Sequence, residues 1–233
     1  MNIDFIILAA GKGTRMGGDS PKVLANLAGK PMIQHLIDTI DSFPKSSTSI
    51  IVGHKAKEVE TGISSSKKIN FIHQKKQLGT AHAVKQALPY LKKNSISLIL
   101  YGDVPLVEKT TLKKLINSAA KGNLSLLTFI KDDPTGYGRI IRGSKSSVQK
   151  ITEHKDANNQ ERHIKEVNSG IMAVKSDLLQ KLLPAIKNQN AAKEYYLTDL
   201  VEIANTSSIK VAGTICDAYE VGGANDRQEL HDL

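Results

Sequence analysis

The chain lacks the features that would place it in a membrane or outside the cell. No apolar run approaches the roughly 20 residues of a membrane-spanning helix. A signal peptide requires a basic region before its apolar stretch, and no such region precedes the first apolar stretch here. Cys216 is the only cysteine, which excludes an internal disulfide and a cysteine-rich metal site. We therefore expect a cytoplasmic protein in which Cys216 is a small buried hydrophobe on a strand.

Aromatic side chains are also scarce, at 4% of the chain with no tryptophan, although the formal net charge is +9. Binding of single-stranded nucleic acid uses aromatic faces for stacking, and no arginine-rich run is present. The lysines come in scattered pairs such as Lys67–Lys68 and Lys113–Lys114. This pattern predicts a solvated, lysine-rich surface with a few cations reserved for an anionic small molecule, and no nucleic acid or membrane partner.

Apolar periodicity predicts an α/β fold. Strands are expected at residues 3–10, 49–53, 69–73, 96–101 and 124–130, and helices at 31–43, 80–91 and 108–121. This β-α-β order predicts a mostly parallel sheet with helices on both faces. No internal repeat or low-complexity linker is visible, so residues 1–233 are interpreted as one domain.

The pattern changes after Lys131. Residues 131–165 contain two short β segments, 138–142 and 148–152, and a polar loop at 155–162, which together predict an insertion beside the edge of the sheet. An apolar strand at 166–174 returns to the sheet. The remaining elements are predicted to be helices at 176–183 and 198–205, a strand at 209–215 and a terminal helix.

Asp103 is the most informative single residue. It follows an apolar run typical of a buried parallel strand, and Pro105 forces Val104 to stay extended, so that the chain leaves the sheet directly after the carboxylate. Open α/β sheets bind their ligands at the carboxyl ends of the strands. The alternative is that Asp103 caps the helix predicted to begin near Glu108, although caps normally lie adjacent to the helix.

A glycine-rich loop at 8–16 follows the first strand and fits neither standard nucleotide motif. A dinucleotide fingerprint would need glycine instead of Met16 and an acid instead of His54. A P-loop would need Gly-Lys-Ser/Thr, whereas Asp19 and Ser20 follow Gly18. The loop instead combines backbone N–H groups with Arg15 and, slightly downstream, Lys22, which favours a polyphosphate ligand.

Eight segments in a fixed order carry a resemblance. They are residues 8–16, 21–24, 77–83, 101–105, 133–139, 153–157, 168–171 and 194–199. Together they closely resemble the N-terminal uridyltransferase domain of the bifunctional bacterial N-acetylglucosamine-1-phosphate uridyltransferase/glucosamine-1-phosphate acetyltransferases, over residues 3 to about 231. The first segment is shared by many sugar nucleotidyltransferases, whereas Gln-Leu-Gly-Thr at 77–80 and Glu-Tyr-Tyr-Leu-Thr-Asp at 194–199 are much more specific.

The resemblance implies a Rossmann-like nucleotidyltransferase fold and a reaction of UTP with N-acetylglucosamine 1-phosphate. The nucleophile would be a phosphate monoester, whose second pKa of about 6 leaves it mostly dianionic at neutral pH, so that no general base is needed. The enzyme would have to bring two anions together and stabilise the leaving pyrophosphate. A divalent metal and cationic side chains suit that task.

The resemblance also implies roles for individual residues. Asp103 and Asn225 would hold Mg²⁺ through oxygen atoms, and Arg15 and Lys22 would neutralise the triphosphate. The nucleotide side would comprise Leu8, Ala10, Gly11, Gln74, Gly79, Thr80, Tyr101 and Gly102, and the sugar side Gly138, Glu153, Asn168 and Tyr196. A Gln74 amide can pair with uracil or cytosine by flipping, so it discriminates only if its orientation is fixed.

Several of these residues also have ordinary structural interpretations. Asn225 could cap the last helix, Glu153 could be an exposed acid at a strand end, and Tyr195 and Tyr196 could be core aromatics. Asn168 lies within an apolar strand, where a buried amide needs several hydrogen-bond partners. The chain departs from the family at Gly222, where a glutamate is usual, at Asp226, where an asparagine is usual, and at Ala25, where a histidine is usual.

The family's second domain, a left-handed β-helix of hexapeptide repeats, has no counterpart in these residues, so its acetyltransferase activity and trimer are not expected here. The oligomeric state is left open. Two rival functions also stay open: a nucleotidyltransferase acting on another sugar phosphate such as glucose 1-phosphate, and a catalytically silent nucleotide-binding domain. Retention of Arg15, Lys22, Asp103 and Asn225 speaks against the second, because binding alone tolerates the loss of metal ligands.

Overall fold

The computed structural model describes residues 1–11, 13, 20–143, 147–224 and 226–233. The strands are β1 Asn2–Ala9, β2 Asn26–Leu27, β3 Lys30–Pro31, β4 Ser46–Val52, β5 Ile69–His73, β6 Ser95–Tyr101, β7 Leu124–Ile130, β8 Arg139–Arg142, β9 Val148–Thr152, β10 Glu166–Lys175 and β11 Val211–Ile215. The helices are α1 Met32–Asp41, α2 Ala56–Thr61, α3 Thr80–Ala87, α4 Lys109–Ala120, α5 Asn159–Arg162, α6 Ser176–Leu182, α7 Leu200–Thr206 and α8 Arg227–Asp232.

The main sheet has the strand order β11-β7-β10-β6-β1-β4-β5. Strand β1 pairs in parallel with β4 on one side and β6 on the other, β4 pairs in parallel with β5, and β11 pairs in parallel with β7. Strand β10 is antiparallel to both of its neighbours, β6 and β7. The predicted mostly parallel sheet is therefore confirmed, with one antiparallel strand in its interior.

Two apolar cores cover the two faces of this sheet, which confirms the prediction of helices on both sides. One core contains side chains of α1 and α4, such as Leu36 and Leu115, packed against β1 and β6. The other contains side chains of α3, α6 and α7, such as Val84, Leu179 and Leu200. The alternating residues of β1 divide between the cores, because successive side chains of a strand point to opposite faces.

The insertion joins the sheet at a central strand, and the prediction that it lies beside the edge of the sheet is wrong. The C-terminal half of β10 pairs with β6, from Met172 opposite Ile99 onwards, whereas Val167 in its first half pairs with Arg139 of β8. The β8–β9 hairpin therefore continues the sheet just beyond the carboxyl end of β6. A register shift between Asn168 and Met172, with Gly170 at φ +86°, marks a bulge at the changeover.

Local differences from the predicted elements have simple causes. The helix predicted over 80–91 ends at Ala87 and continues as a 3₁₀ turn, Leu88–Tyr90, which contains Pro89. The polar loop 155–162 contains the short helix α5, whose first turn is capped by Asn158 and Glu161. Cys216 follows β11 and is only half-buried, so it is not the buried strand residue that was predicted. No helix among the described residues is long and apolar enough to cross a membrane.

Candidate active site

The carboxyl ends of two neighbouring strands, β1 and β6, form the base of the site. The chain turns sharply after β6, with the Gly102 N–H donating to the Leu8 carbonyl at 3.0 Å and the Val104 N–H donating to the Tyr101 carbonyl at 3.1 Å. This turn leaves Asp103 at the rim, where its carboxylate forms an ion pair with Lys22. Helix α4 begins only at Lys109, after Glu108, so Asp103 does not cap it.

A pocket of about 430 Å³ opens beside this ion pair, and we call it the β1 pocket. The predicted residues that line it are Leu8, Ala10, Gly11, Lys22, Gln74, Gly79, Thr80, Tyr101 and Asp103. They lie at or directly after the end of β1, in the 3₁₀ turn after Pro21, directly after β5, at the start of α3 and at or directly after the end of β6. Among these predicted residues, the fold brings together positions as far as 95 apart at one sheet edge, from Leu8 to Asp103.

Two glutamines that line the β1 pocket connect the segments around it. Gln77 donates through Nε2 to the Ala10 carbonyl at 2.6 Å, which ties the loop after β5 to the end of β1. Gln74 is buried, and its Nε2 lies 3.3 Å from the Gly79 carbonyl and 2.9 Å from Nδ1 of His82. The Gln74 side chain is therefore held by protein partners before any ligand arrives.

Gly79 allows two segments to approach closely. Its φ is +111°, and an added Cβ would lie 2.6 Å from the backbone oxygen of Tyr195. The Tyr195 N–H donates to the Leu78 carbonyl at 2.9 Å, and the Ala81 N–H donates to the Tyr195 carbonyl at 2.9 Å. Only glycine combines this backbone angle with this contact, so the Gln-Leu-Gly-Thr segment at 77–80 is fitted to the segment at 194–199.

A second pocket, of about 400 Å³, lies between the β8–β9 hairpin and the bulge of β10, and we call it the hairpin pocket. The predicted residues that line it are Thr80, Tyr101, Gly138, Glu153, Asn168 and Tyr196. Glu153 follows β9 and is half-buried, so the alternative of an exposed strand-end acid is wrong. Burial raises the pKa of the Glu153 carboxyl, and the Thr198 hydroxyl, which donates to Oε1 at 2.9 Å, opposes that rise.

The bulge in β10 presents Asn168 to the hairpin pocket. The Asn168 N–H donates to the Gly138 carbonyl at 2.8 Å, and its side-chain Oδ1 accepts from the Gly170 N–H at 3.1 Å. Because Oδ1 is used within the bulge, the side-chain amide nitrogen is the group that Asn168 can offer a ligand as a donor. Glu153 and Asn168 thus give this pocket an acceptor and a donor, a combination suited to hydroxyl groups.

The two pockets meet at Thr80, Tyr101 and Glu194, which line both of them. Burial raises the pKa of the Tyr101 phenol, the carboxylates of Glu153 and Asp103 add to the effect, and the Thr80 hydroxyl opposes it. Tyr101 therefore stays a neutral phenol at physiological pH. Groups bound in the two pockets would come close to each other across this side chain.

Of the predicted residues that the structure describes, Gly102 lines neither pocket. Gly102 is buried, and an added Cβ would lie 3.0 Å from Val23 and 3.2 Å from Ile33, so it packs against the core. Arg15 and Asn225 lie outside the described residues. The neighbouring Ala224 is described, and its N–H donates to the Asp103 carbonyl at 3.3 Å.

Sequence reasoning missed several lining residues. Gln77 and Thr198 lie inside segments that carry the family resemblance, 77–83 and 194–199, but the sequence does not indicate which groups their side chains contact. Glu194 lines both pockets, and His154 and Lys155 line the hairpin pocket. The sequence offered one signal for these lining residues, namely a polar side chain within two residues of a glycine-rich or strand-end motif.

The described residues contain no group of three or more histidine, cysteine or acidic side chains arranged to hold a metal ion. Asp103 alone still fits one kind of site. Mg²⁺ in nucleotide sites is commonly held by one or two carboxylates together with substrate phosphates, and Asp103 offers such a carboxylate at the rim of the β1 pocket.

Comparison with known proteins establishes the family. Residues 5–169 match the MobA-like NTP transferase domain. The chain belongs to that family. Enzymes of this nucleotidyltransferase family typically use a divalent metal ion, which agrees with a carboxylate placed beside an open pocket.

Whole proteins similar to this nucleotidyltransferase domain are named bifunctional protein GlmU. The protein of Idiomarina loihiensis is 47% identical over 234 residues, covering 100% of this chain and 51% of that protein. The protein of Cellvibrio japonicus is 46% identical, covering 97% of this chain and 50% of its own length. The chain therefore spans about half the length of these relatives, and it matches their N-terminal half.

Solved structures confirm the Rossmann-like nucleotidyltransferase fold. An apo UDP-glucose pyrophosphorylase superposes with a TM-score of 0.78 at 15% identity, covering 100% of this chain and 96% of that one. A putative glucose-1-phosphate thymidylyltransferase from Bacillus anthracis gives a TM-score of 0.76 at 19% identity, covering 99% and 93%. At this level of identity, the likeness concerns the fold alone.

Proposed function

We propose that the chain transfers UMP from UTP to N-acetylglucosamine 1-phosphate, giving UDP-N-acetylglucosamine and pyrophosphate. One observation carries the proposal: two pockets meet at Thr80 and Tyr101, and the Lys22–Asp103 pair lies at the rim of one of them. A reaction that joins a nucleotide to a sugar phosphate needs two adjoining sites of this kind. Residues 1–233 would act as one domain, with 131–165 as a sugar-side insertion.

UTP would occupy the β1 pocket, with its base against Gln74 and Gly79 and its phosphates near Lys22. The Lys22 ammonium and the predicted Arg15 guanidinium would offset the negative charge of the triphosphate. The N-acetylglucosamine 1-phosphate would occupy the hairpin pocket, where Glu153 accepts from sugar hydroxyls and Asn168 donates to them. The pocket junction at Tyr101 would then bring the sugar phosphate towards the α-phosphate of UTP.

Mg²⁺ held by Asp103 and the predicted ligand Asn225 would supply charge neutralisation on the phosphates and the leaving pyrophosphate. The protein residues would position the two anionic substrates next to each other, so that the reaction becomes effectively unimolecular although both substrates are negatively charged. The attacking phosphate is mostly dianionic at pH 7, because its second pKa is about 6. No side chain is required to remove a proton from it. The single cysteine, Cys216, suits a reducing cytoplasmic compartment for this reaction.

A pyrophosphate-release assay over nucleotide and sugar-phosphate pairs tests the proposal. We expect the highest kcat/KM with UTP and N-acetylglucosamine 1-phosphate, and loss of turnover when EDTA removes divalent ions, with recovery on addition of Mg²⁺. A clear preference for glucose 1-phosphate would overturn the sugar assignment but leave the reaction class. No pyrophosphate release with any pair would overturn the enzyme assignment itself.

A further inference from the structure

Two neighbouring groups restrain the orientation of the Gln74 side chain. Its Nε2 lies 3.3 Å from the Gly79 carbonyl oxygen and 2.9 Å from His82 Nδ1. The reverse orientation would place the amide oxygen against the Gly79 carbonyl, where two acceptors would face each other. Because the amide nitrogen is used by the protein, the acceptor Oε1 is the atom that Gln74 offers to the β1 pocket.

His82 completes this arrangement only as a neutral imidazole with its proton on Nε2, since Nδ1 must then accept from Gln74. Burial lowers the pKa of His82, and the nearby Lys85 ammonium lowers it further, which favours the neutral ring. Gln86 lies beside the other ring nitrogen at 3.4 Å, but its amide also donates to the His82 carbonyl at 3.0 Å. The shorter contact, with Gln74, is therefore the one that selects the accepting nitrogen.

We propose that His82 is a positioning residue that holds the Gln74 amide with its oxygen towards the pocket and so makes the enzyme prefer uracil to cytosine. His82 does not line the β1 pocket. It lines a separate cavity of about 410 Å³, together with Lys85, Lys187 and Tyr195. His82 therefore acts on the base only through Gln74. This inference rests on the proposed function, in which the β1 pocket takes the nucleotide.

The chemistry of the two bases explains the preference. Uracil carries an N–H donor at N3, which the Gln74 oxygen can accept. Cytosine carries an acceptor at N3, which would face that oxygen without a proton between them. If Gln74 were free to turn, its NH₂ group could serve cytosine equally well. The restraint on Gln74, rather than the presence of an amide, is what separates the two bases.

Two substitutions of His82 separate restraint from mere packing. His82→Phe keeps a planar ring but removes the acceptor at Nδ1, whereas His82→Asn can place its side-chain oxygen near the Nδ1 position. We expect His82→Phe to reduce the ratio of kcat/KM for UTP over CTP by about threefold to tenfold, which is the worth of one net hydrogen bond. His82→Asn should keep most of the ratio. Gln86→Ala is the matched control on the same helix and should leave the ratio unchanged.

If His82 had a purely structural role, His82→Phe would lower kcat/KM for UTP and for CTP together and leave their ratio unchanged. That result would overturn the inference. Circular dichroism melting shows whether each variant is folded. If His82→Phe does not fold, nitrogen NMR of the wild-type histidine rings decides the point. We expect a lone pair on Nδ1 of His82 at pH 7.5, and a proton on that nitrogen would overturn the inference.

Measurements on the wild-type chain test the proposed function separately from the role of His82. Absence of pyrophosphate release with UTP would contradict the nucleotidyltransfer reaction, while the NMR measurement would still test the restraint on Gln74. Turnover of UTP and CTP at equal rates by the wild type would leave the reaction standing and contradict the role of His82.

Discussion

Gly170 offers a sharp test of how Tyr101 is placed between the two pockets. An alanine Cβ at this position would lie 2.5 Å from Cε2 and 3.0 Å from Cζ of the Tyr101 ring. Ordinary contacts between carbon atoms lie at about 3.5–4.0 Å, so the ring would have to move by about 1 Å. Tyr101 lines both pockets and also packs against both apolar cores, so we expect the ring to move towards the pockets.

The Gly170→Ala change also introduces backbone strain, and Gly122→Ala is the matched control for it. Gly122 has a φ of +92°, close to the +86° of Gly170, but an added Cβ there would meet nothing within 4 Å. An L-residue in the left-handed region costs roughly 1–2 kcal/mol, and both variants should lose that much. Gly170→Ala should lose about 1–3 kcal/mol more, the usual cost of overpacking.

The larger effect should be on catalysis. A displacement of about 1 Å in a group that positions reactants can cost about a hundredfold in rate, so we expect that loss in kcat/KM for both substrates in Gly170→Ala and none in Gly122→Ala. Urea unfolding followed by far-ultraviolet circular dichroism gives the stabilities, since the chain has no tryptophan to follow. Equal stability losses in the two variants, with unchanged turnover, would refute the packing of Tyr101 against Gly170.

Two further changes test the charged groups. Asp103→Asn keeps the shape of the side chain but removes its charge. We expect kcat to fall by several hundredfold or more at saturating Mg²⁺ while the melting temperature changes little. A loss of less than tenfold would contradict the proposed role of Asp103 as a metal ligand, and Asp132→Asn, at an exposed acid, is the control. Burial and the carboxylates of Glu202, Glu153 and Asp156 raise the pKa of Asp199 from 3.8 to about 6. The folded state therefore binds the carboxyl proton more tightly than the unfolded state does. The free energy of unfolding consequently falls as the pH rises through 6. Asp199→Asn should therefore be more stable than the wild type by about 1 kcal/mol at pH 7.5 and equally stable below pH 4. The value is discounted for solvent screening because the carboxyl is half exposed. If urea unfolding showed a difference in stability that does not depend on pH, the charge of Asp199 would not be its cause.

The parts of the fold that follow local rules could be predicted from the sequence. The apolar run before Asp103 and the turn imposed by Pro105 are local features, and they placed the carboxylate at the end of a buried strand, as the structure has it. The carboxyl ends of neighbouring parallel strands lie at one edge of a sheet, and this rule is enough to bring Leu8 and Asp103 to one pocket although 95 positions separate them. The alternation of strands and helices was enough for this part of the site.

Contacts that depend on how distant segments dock could not be predicted in this way. The antiparallel direction of β10 depends on the path of residues 131–165, and the apolar pattern of a buried strand is the same in either direction. The bond from Gln77 to the Ala10 carbonyl joins residues 67 positions apart through an exposed polar side chain. Likewise, nothing in the spacing of Gln74 and His82 indicates that a strand end and a helix face would bring their side chains within 2.9 Å.

The attachment of the hairpin to β10 limits how this enzyme can be modified. Strand β10 pairs with β6 and β7 in the body of the sheet and with β8 in the insertion. Strand β9 in turn packs against α7 and the 3₁₀ turn at Leu197. The insertion is therefore not a detachable module: excising residues 131–165 would remove β8, the strand that pairs with the first half of β10 at Val167. Changes of sugar preference should be sought by exchanging side chains within the hairpin, because its backbone belongs to the frame that holds the molecule together.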